Sequence, residues 1–411
     1  MMGMPQARWF VAAAVAATFG IGIGAVNAAR DHAGSAPAAK ACLAPSTWAT
    51  LDGKTPQSVS ATTVINEMAK KDVVLLGEFH NEADHHRWQL QVLAGLLAQR
   101  PNMIIGFEMF PRRVQPALDR WVAGSLTVKE FLDQSEWARV WDFPAELYLP
   151  LFEFARINRI PMVALNFDPK LNKAITANGW DAVPESEREG IGRPAPASKA
   201  YRDHLYEVYR AHDAVGGNKD PAKTPVTDPA FQRFVEAQTA WDRAMAEALA
   251  KSVANGPGPG RPLVVGIMGS GHVRDGYGVP HQLRTLDVKN VGTLLPVSVD
   301  DDCKALRPGF ADAVFALPLA AAVKPEPPRL GIRVEEADGG VRLVDVTADG
   351  LADRTGLRKG DRLLQVAGVD AKKTSQVIAL IRQQPAGTWL PMRVQRGTET
   401  LDFVVKFPPK P

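Results

Sequence analysis

Cysteine is scarce in this sequence, and neither sign of charge predominates. The 411 residues include two cysteines, Cys42 and Cys303, too few for a zinc site of paired Cys-x-x-Cys motifs or for a disulfide-dense miniprotein. No Cys-x-x-Cys-His segment occurs, which excludes covalent attachment of a c-type haem. Lys and Arg together number 48 against 45 for Asp and Glu, a net charge of +3. Because nucleic-acid binding requires a concentrated basic face, we expect no nucleic-acid partner.

The first 29 residues have the pattern of an export signal. Arg8 precedes an apolar run over Trp9–Val26, and the small residues Ala25–Ala29 suit signal peptidase. We therefore predict a signal peptide over residues 1–29 and export to the periplasm, with membrane association left open. An uncleaved membrane anchor is the alternative, although three glycines weaken the run as a helix. Export would permit a Cys42–Cys303 disulfide, with two free thiols as the alternative.

The rest of the chain divides into four segments by composition. Residues 30–60 are rich in Ala, Ser and Pro and predict a flexible tether. Residues 61–317 alternate short apolar runs with amphipathic stretches, over a length ample for a core. Residues 318–328 predict a stiff proline-rich linker, and residues 329–408 contain short aliphatic runs typical of a small β-rich domain.

Four continuous apolar runs in the second segment predict strands that are buried on both faces. They are Val73–Leu76, Met103–Ile105, Ile160–Leu165 and Leu263–Met268. Helical stretches between them include Pro144–Arg159 and Asp228–Asn255, the latter with Asp228 as its N-cap. Strands that alternate with helices predict an α/β fold, with a mostly parallel sheet and flanking helices.

Polar side chains follow each of these runs, at the point where the strand ends. They are Glu78 and His80, Glu108, Asn166 and Asp168, and His272. Because ligands of open α/β sheets bind beyond the carboxyl ends of the strands, we expect these side chains to converge on one crevice.

Two of these ends share the spacing Gly-x-x-His, at Gly77–His80 and Gly269–His272. Imidazole and carboxylate suit Mn, Fe, Co or Zn, and imidazole is also a common haem ligand. The alternative for each histidine is a hydrogen bond to backbone at the strand end. For His85 and His86, in the polar start of a helix, we predict a solvated helix face rather than a metal site, with a place at the mouth of the crevice as the alternative.

Further candidates lie in the second half of the segment. Gln238 and Asp242 lie on or beside the apolar stripe of the helix over 228–255, where they either orient a ligand or bond backbone. Tyr277 lies in a loop between glycines; tyrosinate ligates ferric haem, and Arg274 suits a propionate. A loop aromatic packed on the surface is the alternative for Tyr277. An aromatic wall or an interface is predicted from Tyr201, His204, Tyr206, Tyr209 and His212.

These motifs together resemble the ChaN family of the haem-binding uptake, Tiki-like superfamily. The matching stretches are Leu76–His80, Phe107–Phe110, Phe234–Asp242 and Gly269–Gly278, and they span nearly all of residues 61–317. The resemblance implies an envelope domain that binds haem non-covalently in the context of iron acquisition. It also implies a competitor, because the wider superfamily includes metal-dependent proteases with paired Gly-x-x-His motifs.

Residues 329–408 resemble a PDZ domain, most clearly at Gly356–Asp361, which matches the family's Gly-Leu-x-x-Gly-Asp segment. The resemblance places a carboxylate-binding loop at Leu330, Gly331 and Ile332, beside an edge strand to which a peptide adds. It also places the groove helix at Ser375–Gln383.

Two main hypotheses follow for the function. The first is a haem-binding protein of the cell envelope whose PDZ module binds a peptide or protein C-terminus. Its cofactor-binding candidates are His80, His272, Arg274, Tyr277, Gln238 and Asp242. The second is a hydrolase in which His80, Glu108 and His272 bind Mn, Co or Zn, and Glu78 or Glu108 acts as general base. A non-catalytic scaffold is a third hypothesis, and a homodimer is left open.

Overall fold

The computed structural model describes residues 42–53, 55–141, 143–215, 224–256, 260–299, 305–317, 329–337, 340–382, 384–385 and 387–408. The predicted signal peptide, the predicted linker and Cys303 lie outside these residues, whereas Cys42 is disulfide-bonded. The chain divides into two compact units, which separate after Ala320. No helix among the described residues has the length and apolarity needed to cross a membrane.

The first unit is built on one eight-stranded sheet, with the strand order β2-β1-β8-β7-β3-β6-β4-β5. The strands are β1 Trp48–Thr50, β2 Gln57–Val59, β3 Val73–Glu78, β4 Met103–Pro111, β5 Met162–Asn166, β6 Leu263–Gly269, β7 Val291–Ser298 and β8 Ala313–Leu317. Neighbouring strands from β8 to β5 in this order pair in parallel. The hairpin of β1 and β2 joins one edge in antiparallel fashion. The predicted α/β fold with a mostly parallel sheet is therefore confirmed.

Helices cover both faces of this sheet, which explains why its strands have continuous apolar sequences. They are α1 Ala61–Met68, α2 Ala83–Gln99, α3 Gln115–Val122, α4 Val128–Gln134, α5 Trp137–Val140, α6 Leu149–Ile157, α7 Pro169–Asn178, α8 Lys199–Val215, α9 Pro229–Asn255 and α10 Gly278–Thr285. On β3, Val74 and Leu76 face an aromatic core with α2, α3 and α6. Val73 and Leu75 face the opposite core with α7, α9 and α10.

One predicted helix differs in the structure. The stretch Pro144–Arg159 contains a short 3₁₀ turn, Ala145–Leu147, followed by α6. Pro150 lies in the first turn of α6, where its missing N–H and fixed φ are tolerated. The long helix predicted over Asp228–Asn255 is present as α9, and the Asp228 side chain accepts a hydrogen bond from the N–H of Ala230.

The second unit is an antiparallel β-rich fold, in which the strand order β14-β13-β11-β10-β9 leaves β9 at an edge. Its elements are β9 Ile332–Ala337, β10 Gly340–Val346, α11 Leu351–Thr355, β11 Arg362–Val366, β12 Val369–Asp370, α12 Thr374–Arg382, β13 Trp389–Arg396 and β14 Glu399–Lys406. The core contains Val341, Leu363, Val377 and Val394. The helix α12 corresponds to the predicted groove helix.

The predicted tether over residues 30–60 is wrong for its second half. Trp48–Thr50 pairs with Ala313–Phe315 of β8, and Ala49 and Leu51 are buried. Alanine, serine and proline are frequent in this segment, but burial of these few apolar side chains fixes the chain on the sheet.

Because Trp48 packs in the core, Trp48→Ala is expected to lower the free energy of unfolding by about 3–5 kcal/mol. The side chain is 7% exposed, and its ring centroid lies 5.1 Å from that of Phe315 and 5.8 Å from that of Trp88. Urea-induced unfolding followed by circular dichroism measures this loss. Ile157→Ala is the control, since Ile157 is 75% exposed in the same unit. If the two substitutions had equal, small effects, burial of Trp48 would not fix this segment on the sheet, and residues 42–60 would be part of the predicted tether.

Candidate functional site

Six buried ionisable side chains meet at the carboxyl ends of β3, β4 and β6. They are Glu78, His80, His86, Glu108, Asp242 and His272, and we call them the buried ionic centre. A methyl group built on Gly269 would lie 3.3 Å from Nε2 of His80 and 3.7 Å from Oε2 of Glu108. Nε2 of His272 lies 3.5 Å from Oε1 of Glu108. The strand ends thus bring the two Gly-x-x-His imidazoles to the same carboxylate.

Glu78 holds one side of the buried ionic centre. Its Oε1 lies 2.8 Å from Nδ1 of His80 and accepts a hydrogen bond of 2.8 Å from the Tyr148 hydroxyl. Its Oε2 lies 3.1 Å from Nδ1 of His86. Burial alone would raise the pKa of Glu78, but the charges and hydrogen bonds of His86 and His80 hold it well below its usual value. Glu78 is therefore a carboxylate between two imidazoles.

The surroundings of the two histidines on this side, His80 and His86, favour their protonated form. His86 presents Nδ1 to Glu78 and Nε2 to the carbonyl oxygen of His80, at 3.2 Å, so both nitrogens face acceptors. Burial opposes a charge on each ring, but Glu78 outweighs burial and raises the pKa of His86. The pKa of His80 is raised in the same way, by the hydrogen bond to Glu78 and the charge of Glu108.

Asp242 and Glu108 hold the other side. Oδ1 of Asp242 lies 2.6 Å from Nδ1 of His272, and its Oδ2 accepts a 2.8 Å hydrogen bond from the Tyr201 hydroxyl. Oε2 of Glu108 accepts a 2.7 Å hydrogen bond from the N–H of Gly269. Burial disfavours charge on His272, but Glu108 and Asp242 outweigh it and raise the pKa of that imidazole. Three carboxyl groups thus face three imidazoles, and ionisation of all six would leave no net charge.

A metal site is not shown by this arrangement. Among the described residues, no group of three or more His, Cys, Asp or Glu is placed to hold a metal ion. A metal would also have to compete with protons on imidazoles whose pKa the carboxylates raise. Oε1 of Glu108 is nevertheless buried and makes no hydrogen bond within the described part of the chain.

Both histidines of the predicted solvated helix face are buried, so that prediction is wrong. His86 belongs to the buried ionic centre, and His85 accepts a 2.9 Å hydrogen bond from the N–H of Phe79 at Nδ1. Burial lowers the pKa of His85 to about 4 and keeps its ring neutral. The polar sequence around them concealed this placement, although a buried Glu78 requires a cationic partner.

The remaining strand-end residues do not join the centre through their side chains. Asn166 donates a 3.0 Å hydrogen bond to the carbonyl oxygen of Glu108. Asp168 caps α7 by accepting from the N–H of Lys170 and forms an ion pair of 2.6 Å with Arg113. Gln238 is buried on α9, one turn before Asp242.

A second group of side chains, which we call the tyrosine face, consists of Tyr201, His204, Arg274 and Tyr277. The rings of Tyr201 and Tyr277 stack with centroids 5.4 Å apart, and His204 lies 6.3 Å from Tyr277. Tyr277 is half-buried, and its hydroxyl makes no hydrogen bond among the described residues. Because Tyr201 also bonds Asp242, it connects the tyrosine face to the buried ionic centre.

Charge at the tyrosine face is set by Arg274 and its neighbours. Arg274 pairs with Asp275 at 3.2 Å, and Arg307 pairs with the same carboxylate at 2.6 Å. Two guanidiniums thus share one carboxylate. Burial lowers the pKa of His204, and the charge of Arg274 lowers it further, so the imidazole is neutral. His204 is a site residue that the sequence indicated only as part of an aromatic helix.

The second unit has its candidate site at Leu330, Gly331 and Ile332, next to the edge strand β9. Gly331 has a φ of +76°, and a methyl group there would lie 3.2 Å from Cβ of Thr347. The loop is anchored by its carbonyls, which accept hydrogen bonds from Thr347 and Ala352. Among the described residues, the N–H groups of Leu330 and Gly331 donate to no backbone acceptor. They are therefore available to an anionic ligand.

Comparison with known proteins identifies both units. A family model described as haem-binding uptake, Tiki superfamily, ChaN matches residues 64–283, and a PDZ domain model matches residues 328–407. No curated protein matches the chain.

Solved structures show likenesses at low identity. The structure of cofacial haem binding to ChaN of Campylobacter jejuni is 19% identical, covers 66% of this chain and 96% of that chain, and has a TM-score of 0.49. The PDZ domain of HtrA3 with a phage-derived ligand is 20% identical over 19% of this chain and 82% of that chain, with a TM-score of 0.18. A serine endoprotease from Yersinia pestis is 21% identical over 20% of this chain and 29% of that chain, with a TM-score of 0.18.

Glu78→Gln tests the charge balance of the buried ionic centre. The substitution keeps the shape but leaves two buried imidazoles without their carboxylate, so we expect a loss of about 3–5 kcal/mol in unfolding free energy at neutral pH. Glu67→Gln is the control, because Glu67 pairs with Lys70 on the surface, where a loss below about 1 kcal/mol is expected. Equal losses measured by urea unfolding would contradict the charge balance.

The same centre predicts a pH dependence of stability. Raised pKa values of His80, His86 and His272 give stabilisation that is complete below about pH 6.5 and lost as the pH rises through the raised values. The lowered pKa of Glu78 gives stabilisation that is present above about pH 4.3 and lost as the pH falls. We expect the alkaline loss to be smaller in Glu78→Gln, measured as urea midpoints at several pH values. The same alkaline loss in both proteins would argue against this origin.

Proposed function

Because the chain belongs to the ChaN family of the haem-binding uptake, Tiki superfamily, we propose that its first unit binds haem at the tyrosine face. The observation that carries this assignment is that Tyr277 and His204 lie side by side on this face. Tyr277 is half-buried and its hydroxyl makes no hydrogen bond among the described residues, and the imidazole of His204 is neutral. Phenolate and neutral imidazole are both axial ligands of haem iron.

Tyr277 is the proposed iron ligand. Its ring is held by stacking on Tyr201, whose hydroxyl is in turn fixed by Asp242. This support restricts the direction of the Tyr277 side chain before any ligand arrives, which lowers the ordering cost of binding. His204 lies on the same face, with its ring centroid 6.3 Å from that of Tyr277, and its imidazole is the second candidate ligand for the iron.

The surroundings of Tyr277 fit an amphipathic macrocycle. Tyr277 packs against an apolar cluster that contains Tyr201, Leu205, Phe231 and Val235. Arg274 and Arg307 carry two positive charges and share the one negative charge of Asp275. The remaining positive charge suits a haem propionate. Bound haem would supply an iron centre; the residues of this face bind it, orient it and exclude water.

The buried ionic centre is proposed to support this face rather than to ligate iron. Each of its imidazoles presents Nδ1 to a carboxylate that raises the pKa of the ring, which favours imidazolium, a form without a lone pair for a metal. Asp242 holds Tyr201, so the centre fixes the ring on which Tyr277 stacks.

A metal-dependent hydrolase is the second candidate, and one observation favours it. Oε1 of Glu108 is buried without a hydrogen bond among the described residues and lies 3.5 Å from Nε2 of His272, while the Glu108 carboxylate and the His80 ring both border Gly269. Such an oxygen would be satisfied by a cation held with the two imidazoles, once these lose their protons.

The cellular setting is proposed from sequence and family together. The signal pattern over residues 1–29 supports export to the periplasm, and the family's description as haem-binding uptake supports a role in iron acquisition. The PDZ domain at residues 328–407 supports binding of a peptide or protein C-terminus at Leu330, Gly331 and Ile332.

Hemin titration of the purified full chain tests the haem proposal. We expect saturable binding with a shifted Soret band, and binding at least about tenfold weaker, with an altered spectrum, for Tyr277→Phe. Tyr206→Phe is the matched control, because Tyr206 packs in the same cluster but donates its hydroxyl to the Thr224 carbonyl oxygen. An unchanged spectrum and affinity in Tyr277→Phe would contradict the assignment of Tyr277 as the iron ligand.

Metal and porphyrin analysis separates the two candidate functions. Protein purified without chelator from haem-supplied cells is expected to contain porphyrin in proportion to protein. Stoichiometric Mn, Co or Zn without porphyrin absorbance would instead support the hydrolase and overturn the haem assignment.

A labelled peptide with an aliphatic C-terminal residue tests the PDZ proposal. The free carboxylate is expected to meet the N–H groups of the loop at Leu330 and Gly331, so that amidation of the terminus weakens binding by at least about tenfold. Fluorescence anisotropy with the full chain measures this ratio, and equal affinities of the acid and the amide would contradict a carboxylate-binding loop.

A further inference from the structure

Three arginines surround the groove between β9 and α12. They are Arg329, Arg333 and Arg382, and Asp345 is the one carboxylate among the described lining residues. We infer that this groove selects protein C-termini in which acidic residues precede an aliphatic terminal residue. The inference rests on the proposed peptide-binding function and adds to it the class of partner.

The floor of the groove accounts for the terminal residue. Leu330 is 2% exposed and Ile381 is 7% exposed, whereas Ile378 remains 38% exposed at the same surface. A buried floor beside a partly open aliphatic wall removes a Val, Leu or Ile side chain from water, at about 25 cal/mol for each Å² buried. The groove therefore favours a branched aliphatic side chain at the end of the peptide.

The edge strand fixes the course of the peptide residues that precede the terminal residue. Because β9 is the last strand of its sheet, a peptide can pair with it by backbone hydrogen bonds. With its carboxylate at Leu330 and Gly331, the peptide extends along β9 from Ile332 towards Ala337. This course carries the preceding residues past Arg333, whose side chain is exposed.

The charge of the groove then selects among these residues. Arg329, Arg333 and Arg382 form no ion pair with any described carboxylate, although Asp345 lies opposite Arg333 in the strand register. Among the residues that line the groove, three guanidiniums and one carboxylate leave an excess of two positive charges, and Glu335 and Glu336 further along β9 do not line it. Acidic residues before the terminus are attracted to this excess and lysines are repelled, which gives specificity on both counts. Salt weakens both effects, because the groups are exposed.

Peptide binding to the full chain tests the inference. Three labelled peptides share a free C-terminal Val and differ only in the three residues before it, which are Glu, Ser or Lys. We expect the Glu peptide to bind at least about tenfold more tightly than the Lys peptide at low salt, with a smaller ratio at high salt. Arg329→Glu combined with Arg382→Glu is expected to remove or reverse the preference. Lys359→Glu, an exposed charge change in the turn before β11, is the control that keeps it.

Each remaining outcome has one meaning. Equal affinity for the Glu and Lys peptides, with binding still weakened by amidation, overturns the acidic preference and leaves the peptide-binding function standing. Tighter binding of the Lys peptide overturns the preference in the same way. Failure of all three free-carboxylate peptides to bind overturns the peptide-binding function itself, and the inference with it.

Discussion

The close contacts between three carboxyl groups and three imidazoles at the carboxyl ends of β3, β4 and β6 are the interaction on which the first unit depends. Each of the six residues is at most 3% exposed, and burial of any one of them alone as an ion would cost several kcal/mol. Geometry makes the set tolerable: Glu78 lies between His80 and His86, and His272 lies between Glu108 and Asp242. The sheet topology creates this geometry, because β3, β6 and β4 are adjacent and parallel.

Tyr201 connects this centre to the tyrosine face. Its hydroxyl donates a hydrogen bond to Asp242 and its ring stacks on Tyr277, so one side chain links a buried ion pair to the face that we assign to haem. Burial and the adjacent carboxylate keep the pKa of Tyr201 well above its usual value, so it stays a donor. Tyr277 has no such partner among the described residues and keeps its hydroxyl for a ligand. Two tyrosines in contact thus have different chemistry because only one of them meets a buried acid.

The sequence predicted the sheet and the strand-end residues because both depend on local pattern. Continuous apolar runs predict β3, β4 and β6, and the residues after each run have to lie at one edge of a parallel sheet. The partners of these residues were not predictable, since Tyr148 and His86 reach Glu78 through packing of other elements. The strand at Trp48–Thr50 was missed for a related reason: three residues that add to an existing edge have too short a pattern to detect. The PDZ unit was found because a contiguous motif carries it.

Nitrogen-15 NMR of the histidine rings in the full chain tests the central claim most directly. We expect the imidazoles of His80, His86 and His272 to lose their second ring proton at a pH above the usual pKa of histidine, and those of His85 and His204 to lose it below that value. If His80 and His272 instead titrate at or below the usual pKa and bind added Mn, Co or Zn, the centre is a metal site. The assignment of the ligand-binding face to Tyr277 would then lose its support.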